Sequence, residues 1–304
     1  MRYQVEPYSQ KWEKELFSFL DGPARRPEKE NFPGLQDYRE CPGCRPGEDI
    51  FIAHRAGQFS GYAALRHEAG IRRVIADVFV FPRRRGCGLG TRLMDRVHQR
   101  ARELEAEKIH VPVFQRNGSG KNFLFKKGFA PVKDFFEMEM SPPDKNFSFP
   151  RHIRIETFSS GEAGALARLQ NRIFKGSWGF NPNREEDVRY YIKILSSGWN
   201  DILRFKKDGK EAGYIWTVPP EKRGKKNTGR VHMCGLLKES RGQGLSQALV
   251  AAGLSHLARL GADSVCLTVE AGNGPAQKVY RNLGFKKVRR IVWFEKQSGI
   301  RPGF

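Results

Sequence analysis

The spacing of apolar positions changes period along the chain. Residues 10–20 and 161–174 repeat at helical spacing, the second stretch placing Ala165, Leu166, Leu169 and Ile173 on one face. Short apolar or alternating runs predict strands at 50–54, 62–66 and 74–81, and again at 202–205, 213–218 and 231–237. Two longer periodic stretches predict amphipathic helices. One is 90–107, with Leu93, Val97, Ala101 and Leu104 on one side, and the other is 246–260, with Leu249, Gly253, Leu254 and Leu257. A strand follows each, at 109–114 and 264–270, then a short helix and a last strand. The mixture predicts an α/β (α+β) fold of packed layers.

The two series are one series read twice. Val5-Glu6-Pro7-Tyr8-Ser9 resembles Ile155-Glu156-Thr157-Phe158-Ser159. Asp49-Ile50 stands 12 positions before Gly61-Tyr62, as Asp201-Ile202 does before Gly213-Tyr214. Arg85-Gly86 precedes Asn117-Gly118 by 32 residues, and Arg241-Gly242 precedes Asn273-Gly274 by 32; each Asn lies 11 before a Gly-Phe, at 128–129 and 284–285. Four landmarks in one order predict a tandem repeat, with domains at 1–145 and 151–304 and the boundary in the Ser/Pro/Asp/Asn stretch 141–150. The length of 304 residues suits two domains of about 150 each.

Composition narrows the class. With 39% hydrophobic and 29% charged residues the chain reads as globular, not as disordered or collagenous. No apolar run is long enough for a membrane helix, and the N-terminus lacks the apolar core of a secretory signal, so the expected location is cytoplasmic. Five cysteines, an odd number, argue against a disulfide framework. Cys41 and Cys44 form a C-x-x-C in a Pro/Gly-rich loop without a second pair to complete a zinc site, so no metal is expected and the loop reads as inert, with a redox pair as the lesser alternative. The net charge is +21, and most of the excess lies in the second half: 28 basic and 13 acidic residues follow Pro150, against 26 and 20 before it. Such a field favours anionic partners, including nonspecific association with nucleic acid, and disfavours strongly cationic acceptors. No zinc-finger spacing, RNP aromatic motif or basic zipper accompanies it.

The chemistry lies in two glycine-rich turns between a strand and a helix, Arg85-Gly86-Cys87-Gly88-Leu89-Gly90 and Arg241-Gly242-Gln243-Gly244-Leu245-Ser246. Glycines allow close backbone approach to a ligand, and unpaired N–H groups at a helix start bind phosphate oxygens. No G-K-[ST] follows, which excludes a Walker loop, and the acidic ribose residue of a dinucleotide fingerprint is not evident.

Strand, R-G-x-G-x-[GAS], helix, strand ending near Asn, then Tyr and Gly-Phe: this order resembles the acetyl-CoA-binding region of the GCN5-related N-acetyltransferase (GNAT) superfamily. The resemblance covers both halves and is strongest in 74–129 and 231–285. The tandem pair is similar in architecture to the mycothiol synthase family, although two-domain members have several substrate classes. The resemblance implies a mixed, mostly antiparallel sheet whose central strands splay to admit pantetheine, and acetyl-CoA as co-substrate. It implies that Leu236 and Leu237 offer backbone groups to pantetheine, that Arg241, Gly242, Gln243, Gly244, Leu245 and Ser246 cradle the pyrophosphate, and that Asn273 meets the cofactor arm. Val80, Phe81 and the turn Arg85, Gly86, Cys87, Gly88, Leu89 and Gly90 hold the same places in the first copy.

The resemblance also implies that Tyr280 protonates the leaving thiolate, a phenol suiting a thiolate of similar pKa. Glu270 reads either as the base for the acceptor amine or as a loop hydrogen-bond partner, Tyr280 as acid or packing aromatic, and His232 as a water-mediated base or a packed ring. The first copy has Leu124 in place of Tyr280 and Phe114 in place of Glu270, but carries Asp77 where the second has Met233. Catalysis is therefore expected in the second copy, on a small-molecule or peptide amine by direct attack. The alternative is a non-catalytic acyl-CoA-sensing or nucleic-acid-associated binding protein. Residues 174–182 read as an acceptor loop or as a core cap, 83–85 as phosphate partners or a solvated turn, and 222–230 as a solvated basic hairpin.

Overall fold

The computed structural model describes residues 3–20, 38, 40–141, 143, 152–223 and 226–299. Most of the expected boundary at 141–150 and the tip of the basic hairpin, 224–225, lie outside the described residues. The chain forms two compact units, Met1–Val132 with Val292–Phe304, and Lys133–Ile291.

In the first unit, strands β1 (Gln4–Pro7), β2 (Ile50–Arg55), β3 (Gln58–Glu68), β4 (Arg73–Val80) and β5 (Lys108–Phe114) lie side by side in chain order. All pair antiparallel except β4 with β5, which run parallel. Helix α1 is Glu13–Leu20, α2 is Leu89–Glu103 and α3 is Gly118–Lys126. The apolar stripe of α2, Leu89, Leu93, Met94, Val97 and Ala101, packs against Ala63, Leu65, Val74 and Ile109. Trp12, Leu16 and Phe19 pack with Tyr62 and Ile75 in a separate core cluster. The α2 reading ran to 107; the helix stops at Glu103 because Glu105 takes a left-handed conformation, φ 52°.

The second unit repeats the plan with β6 (Ala130–Met140), β7 (Ile153–Thr157), β8 (Ile202–Lys207), β9 (Lys210–Arg223), β10 (Lys226–Leu236) and β11 (Ser264–Glu270). Their spatial order is β6-β11-β10-β9-β8-β7, with β10 and β11 the parallel pair. Helix α4 is Ala163–Phe174, α5 is Glu185–Ile194, α6 is Leu245–Arg259 and α7 is Gly274–Asn282; α5 has no counterpart in the sequence reading. The last strand, β12 (Lys286–Gln297), continues from Phe285 and lies beside β5. Each unit thus takes a sheet strand from the other repeat: Lys133 to Met140 belong to the second unit and Val292 to Gln297 to the first. The sequence repeat at 1–145 and 151–304 and the compact units are therefore different divisions of the chain.

The matched landmark Asp49/Asp201 is a clamp between the start of a strand and a helix. Asp49 Oδ1 accepts from Arg100 Nε at 2.9 Å, and His256 Nε2 lies 2.8 Å from Asp201 Oδ1. Cys41 and Cys44 are joined as a disulfide, their Cα atoms 5.3 Å apart, within the loop whose sequence reading was inert or, as the lesser alternative, a redox pair. A link across three positions holds one turn and constrains little else.

Candidate active site

Both parallel strand pairs open partway along. In the first unit β4 and β5 stay in register from Arg73↔Lys108 to Ile75↔His110 and then part. In the second, β10 and β11 pair from Thr228↔Ser264 to Val231↔Leu267, and an irregularity between Val231 and Met233 follows on β10. The opening in the first unit holds a cavity of about 100 Å³ whose lining includes Asp77, Val78, Phe114, Asn117 and Leu124. The repeat register that aligns Arg85 with Arg241 turns those five positions into Met233, Cys234, Glu270, Asn273 and Tyr280. Three of the five are site residues expected from the sequence.

Tyr280, on α7, is buried, and its Oη lies 3.4 Å from Cys234 Sγ on β10. Burial is the main cause that raises the Tyr280 phenol well above its ordinary pKa, so it is neutral near pH 7 and carries a proton to donate. Glu270 ends β11, and its Oε1 accepts from Lys133 Nζ at 2.9 Å. Asn273 caps α7, its side-chain oxygen accepting from the Ala276 N–H at 3.1 Å; Asn117 caps α3 in the same way through Gly120, at 2.9 Å. His232 packs its ring 5.2 Å from Trp216 and 5.9 Å from Tyr191. The loop after α4 sends Trp178 to Phe135, with ring centroids 5.9 Å apart, and Phe180 to Phe174, 5.4 Å apart, while Phe174 meets the Tyr214 ring edge-on at 6.4 Å.

The glycine turns have one geometry in both units. Gly86, Gly88, Gly242 and Gly244 all have φ between 74° and 82°, a region L side chains rarely adopt. Gly88 and Gly244 are the N-caps of α2 and α6. A Cβ built on any of the four meets nothing within 4 Å, so open space lies in front of the turn. The first N–H groups of a helix have no partner inside it, and here they border that space, which fits an anionic diphosphate.

Leu89 and Leu245 are buried and anchor the helix starts in the core. Arg85 Nε donates to the Val80 carbonyl and Arg241 Nε to the Leu236 carbonyl, both at 3.0 Å. These arginines fasten the turn to the strand end. The N–H groups of Phe81 and Leu237 donate to Ser60 and Ala212 within the sheet. Cys87 is exposed, with Sγ 2.8 Å from the Arg84 carbonyl oxygen, and Gln243 bonds Lys207 and the Glu239 carbonyl. Gly90 sits 3.2 Å, at its virtual Cβ, from the Phe123 ring; Ser246 holds the matching place in the second turn and is exposed. Sequence reasoning passed over Cys234 and Lys133. The register against Val78 was available to find the first, but nothing in the sequence pointed to the second.

Each unit of this tandem α/β fold has a parallel strand pair that splays and a glycine turn that caps a helix. The acetyltransferase (GNAT) family model matches residues 10–129 and 165–285, and the chain belongs to that family. It is an acyltransferase, and members of the family use acyl-CoA. The chain is 28% identical over 258 residues to the mycothiol acetyltransferase of Saccharomonospora viridis, covering 80% of this chain and 81% of the relative. It is 29% identical over 259 residues to that of Catenulispora acidiphila, covering 81% of each. A GCN5-related N-acetyltransferase from Sphaerobacter thermophilus shares the fold with a TM-score of 0.75 at 20% identity, over 99% of this chain and 97% of that one. A tandem GNAT protein from the clavulanic acid biosynthesis pathway does so with a TM-score of 0.72 at 17%, over 99% and 100%. The tandem arrangement read from the repeat is thus present in known proteins. Among the described residues no helix is long and apolar enough to cross a membrane.

Proposed function

We propose that the protein transfers the acetyl group of acetyl-CoA to the primary amine of a small molecule, with catalysis in the second copy. The observation that carries this reading is the neutral, buried Tyr280 phenol at a position whose counterpart in the first unit lines the cleft. Backbone N–H groups of Gly242 to Ser246 hold the diphosphate, and the strand opening receives the pantetheine arm. The amine, having passed a proton to Glu270, attacks the thioester carbonyl directly. Tyr280 protonates the departing thiolate, which removes the charge that would drive the reverse reaction, and the second amine proton, lost as the amide forms, returns to Tyr280 through solvent. The relatives named mycothiol acetyltransferase support an acceptor of the kind those enzymes acetylate.

Calorimetric titration with acetyl-CoA at moderate salt, followed by mass detection of product with that acceptor, tests the reading. Saturable binding and an acetylated amine are expected. Absence of acetyl-CoA binding contradicts it and brings the nucleic-acid-associated alternative forward, which would show affinity falling steeply with salt.

A further inference from the structure

An amine of the protein's own already occupies the place beside Glu270. Lys133 Nζ lies 2.9 Å from Glu270 Oε1, and the same ammonium sits 5.7 Å from the centroid of the Trp178 ring, a carboxylate and an aromatic wall around one nitrogen. The placement is fixed by the backbone. Strand β6 pairs with β11 through Phe135↔Glu270, and the Ala271 N–H donates to the Asp134 carbonyl at 2.8 Å, so Lys133 starts two residues from the pairing that carries Glu270. Both side chains are partly open, 28% and 29% exposed, so neither is sealed from the cleft mouth. Phe114, the counterpart of Glu270, lines the cavity of the first unit, which sets this position at the cleft.

We propose that Lys133 is a modification site: in the absence of acceptor it takes the acetyl group in cis. This rests on the acetyl-CoA reading given above. Lys133 passes one proton to Glu270, and its nitrogen bonds to the acetyl carbonyl carbon as the carbon–sulfur bond breaks. The CoA thiolate takes the Tyr280 proton, and the second amine proton returns to Tyr280 through solvent. The products are an amide at Lys133, CoA as a free thiol and one proton released. Acetylation removes the cation, frees Glu270 from its ion pair and leaves a neutral amide against Trp178, so the modified protein differs from the unmodified one at the acceptor's own place.

The test incubates the full chain with acetyl-CoA alone and follows each lysine by peptide mass spectrometry, with acetyl-CoA binding measured on the same sample. Lys133 should be acetylated first-order, at a rate independent of protein concentration and at least about tenfold above that of any other lysine, as expected for a held intramolecular amine. Lys133→Arg keeps the ion pair and should abolish the modification, while Tyr280→Phe should slow it with Lys133 still present. Saturable acetyl-CoA binding with Lys133 unmodified, or modified no faster than the other lysines or in proportion to protein concentration, overturns the proposal and leaves the parent reading standing. Failure of acetyl-CoA to bind overturns both.

Discussion

The two clefts share a backbone and differ in what lines it. In the first unit the positions of Cys234, Glu270 and Tyr280 are Val78, Phe114 and Leu124, and the carboxylate that remains, Asp77, accepts the Tyr62 hydroxyl. The cluster around Tyr62 is plugged by aromatic rings: Phe19 lies 4.5 Å from Phe79, 5.3 Å from Phe81 and 5.8 Å from Tyr62. In the second unit the place of Phe79 is Gly235, where a Cβ would fall 2.5 Å from Ile173 Cγ2 and 3.4 Å from the Phe174 ring, so the strand carries no ring here and Phe174, from α4, takes the space. The same strand opening and glycine turn therefore coexist with Val78, Phe114 and Leu124 in one copy and with Cys234, Glu270 and Tyr280, two of them proposed to transfer protons, in the other. On the function proposed above, the shared backbone serves the donor and the lining decides whether transfer follows.

The largest expected effect that sharpens this contrast is on turnover. Tyr280→Phe should lower kcat by about 10²-fold or more while acetyl-CoA affinity stays within about twofold. Leu124→Tyr, which builds the matching group in the first unit, should add nothing. Because burial raises the Tyr280 pKa and the group acts when protonated, rising pH should leave its contribution intact up to and beyond the ordinary phenol value, about 10. An alkaline loss near pH 8 that vanishes in Tyr280→Phe would contradict the assignment. Next, Phe19→Ala should cost about 3–5 kcal/mol in urea unfolding by emptying the aromatic plug, with kcat retained in the folded protein. Asp77→Asn should change turnover by less than about twofold, since its carboxylate is committed to Tyr62; a loss comparable to that of Tyr280→Phe would move catalysis to the first copy.

The smallest effect concerns how each copy enters its first helix. Glu162 Oε2 accepts from both the backbone N–H and the hydroxyl of Ser159 at 2.9 Å, the carboxylate half of a capping box, whereas the first copy has Trp12 three residues after Ser9. The Ser159 backbone N–H, followed by Arg204, holds the Glu162 carboxylate at about 2 from an ordinary 4.5. A depressed pKa contributes stability above the unfolded value that is lost as pH falls through the folded one. Glu162→Gln should therefore cost about 1 kcal/mol or less at pH 7, discounted for a side chain that is one-third exposed, and the difference from wild type should vanish between about pH 4.5 and 2.

Much of the repeat was legible because its landmarks answer to backbone demands. Gly86, Gly88, Gly242 and Gly244 need positive φ, Asn117 and Asn273 cap helices, and Leu93 and Leu249 keep helical spacing on a buried face. The exchange of β6 and β12 was not legible, since two last strands of similar pattern can complete either sheet and local spacing does not say which. The pairing of Lys133 with Glu270 follows from that exchange, 137 positions apart in sequence, and was hidden with it. Helix α5 was missed because the run Val188-Arg189-Tyr190-Tyr191-Ile192 carries the aromatic and β-branched residues that also suit strands. Cys234 was overlooked since nothing in its own neighbourhood marks it; its meaning lies in the distance to Tyr280.

The division of roles between the copies is tested most directly by single-turnover acetyl transfer to the amine that mycothiol acetyltransferases use, in wild type, Gly244→Val and Gly88→Val. A β-branched side chain is strained at the φ of 75° or 82° found at these N-caps, so each variant should distort one glycine turn. Loss of transfer in Gly244→Val with transfer retained in Gly88→Val is the predicted result. The reverse pattern would place the chemistry in the first copy and contradict the account.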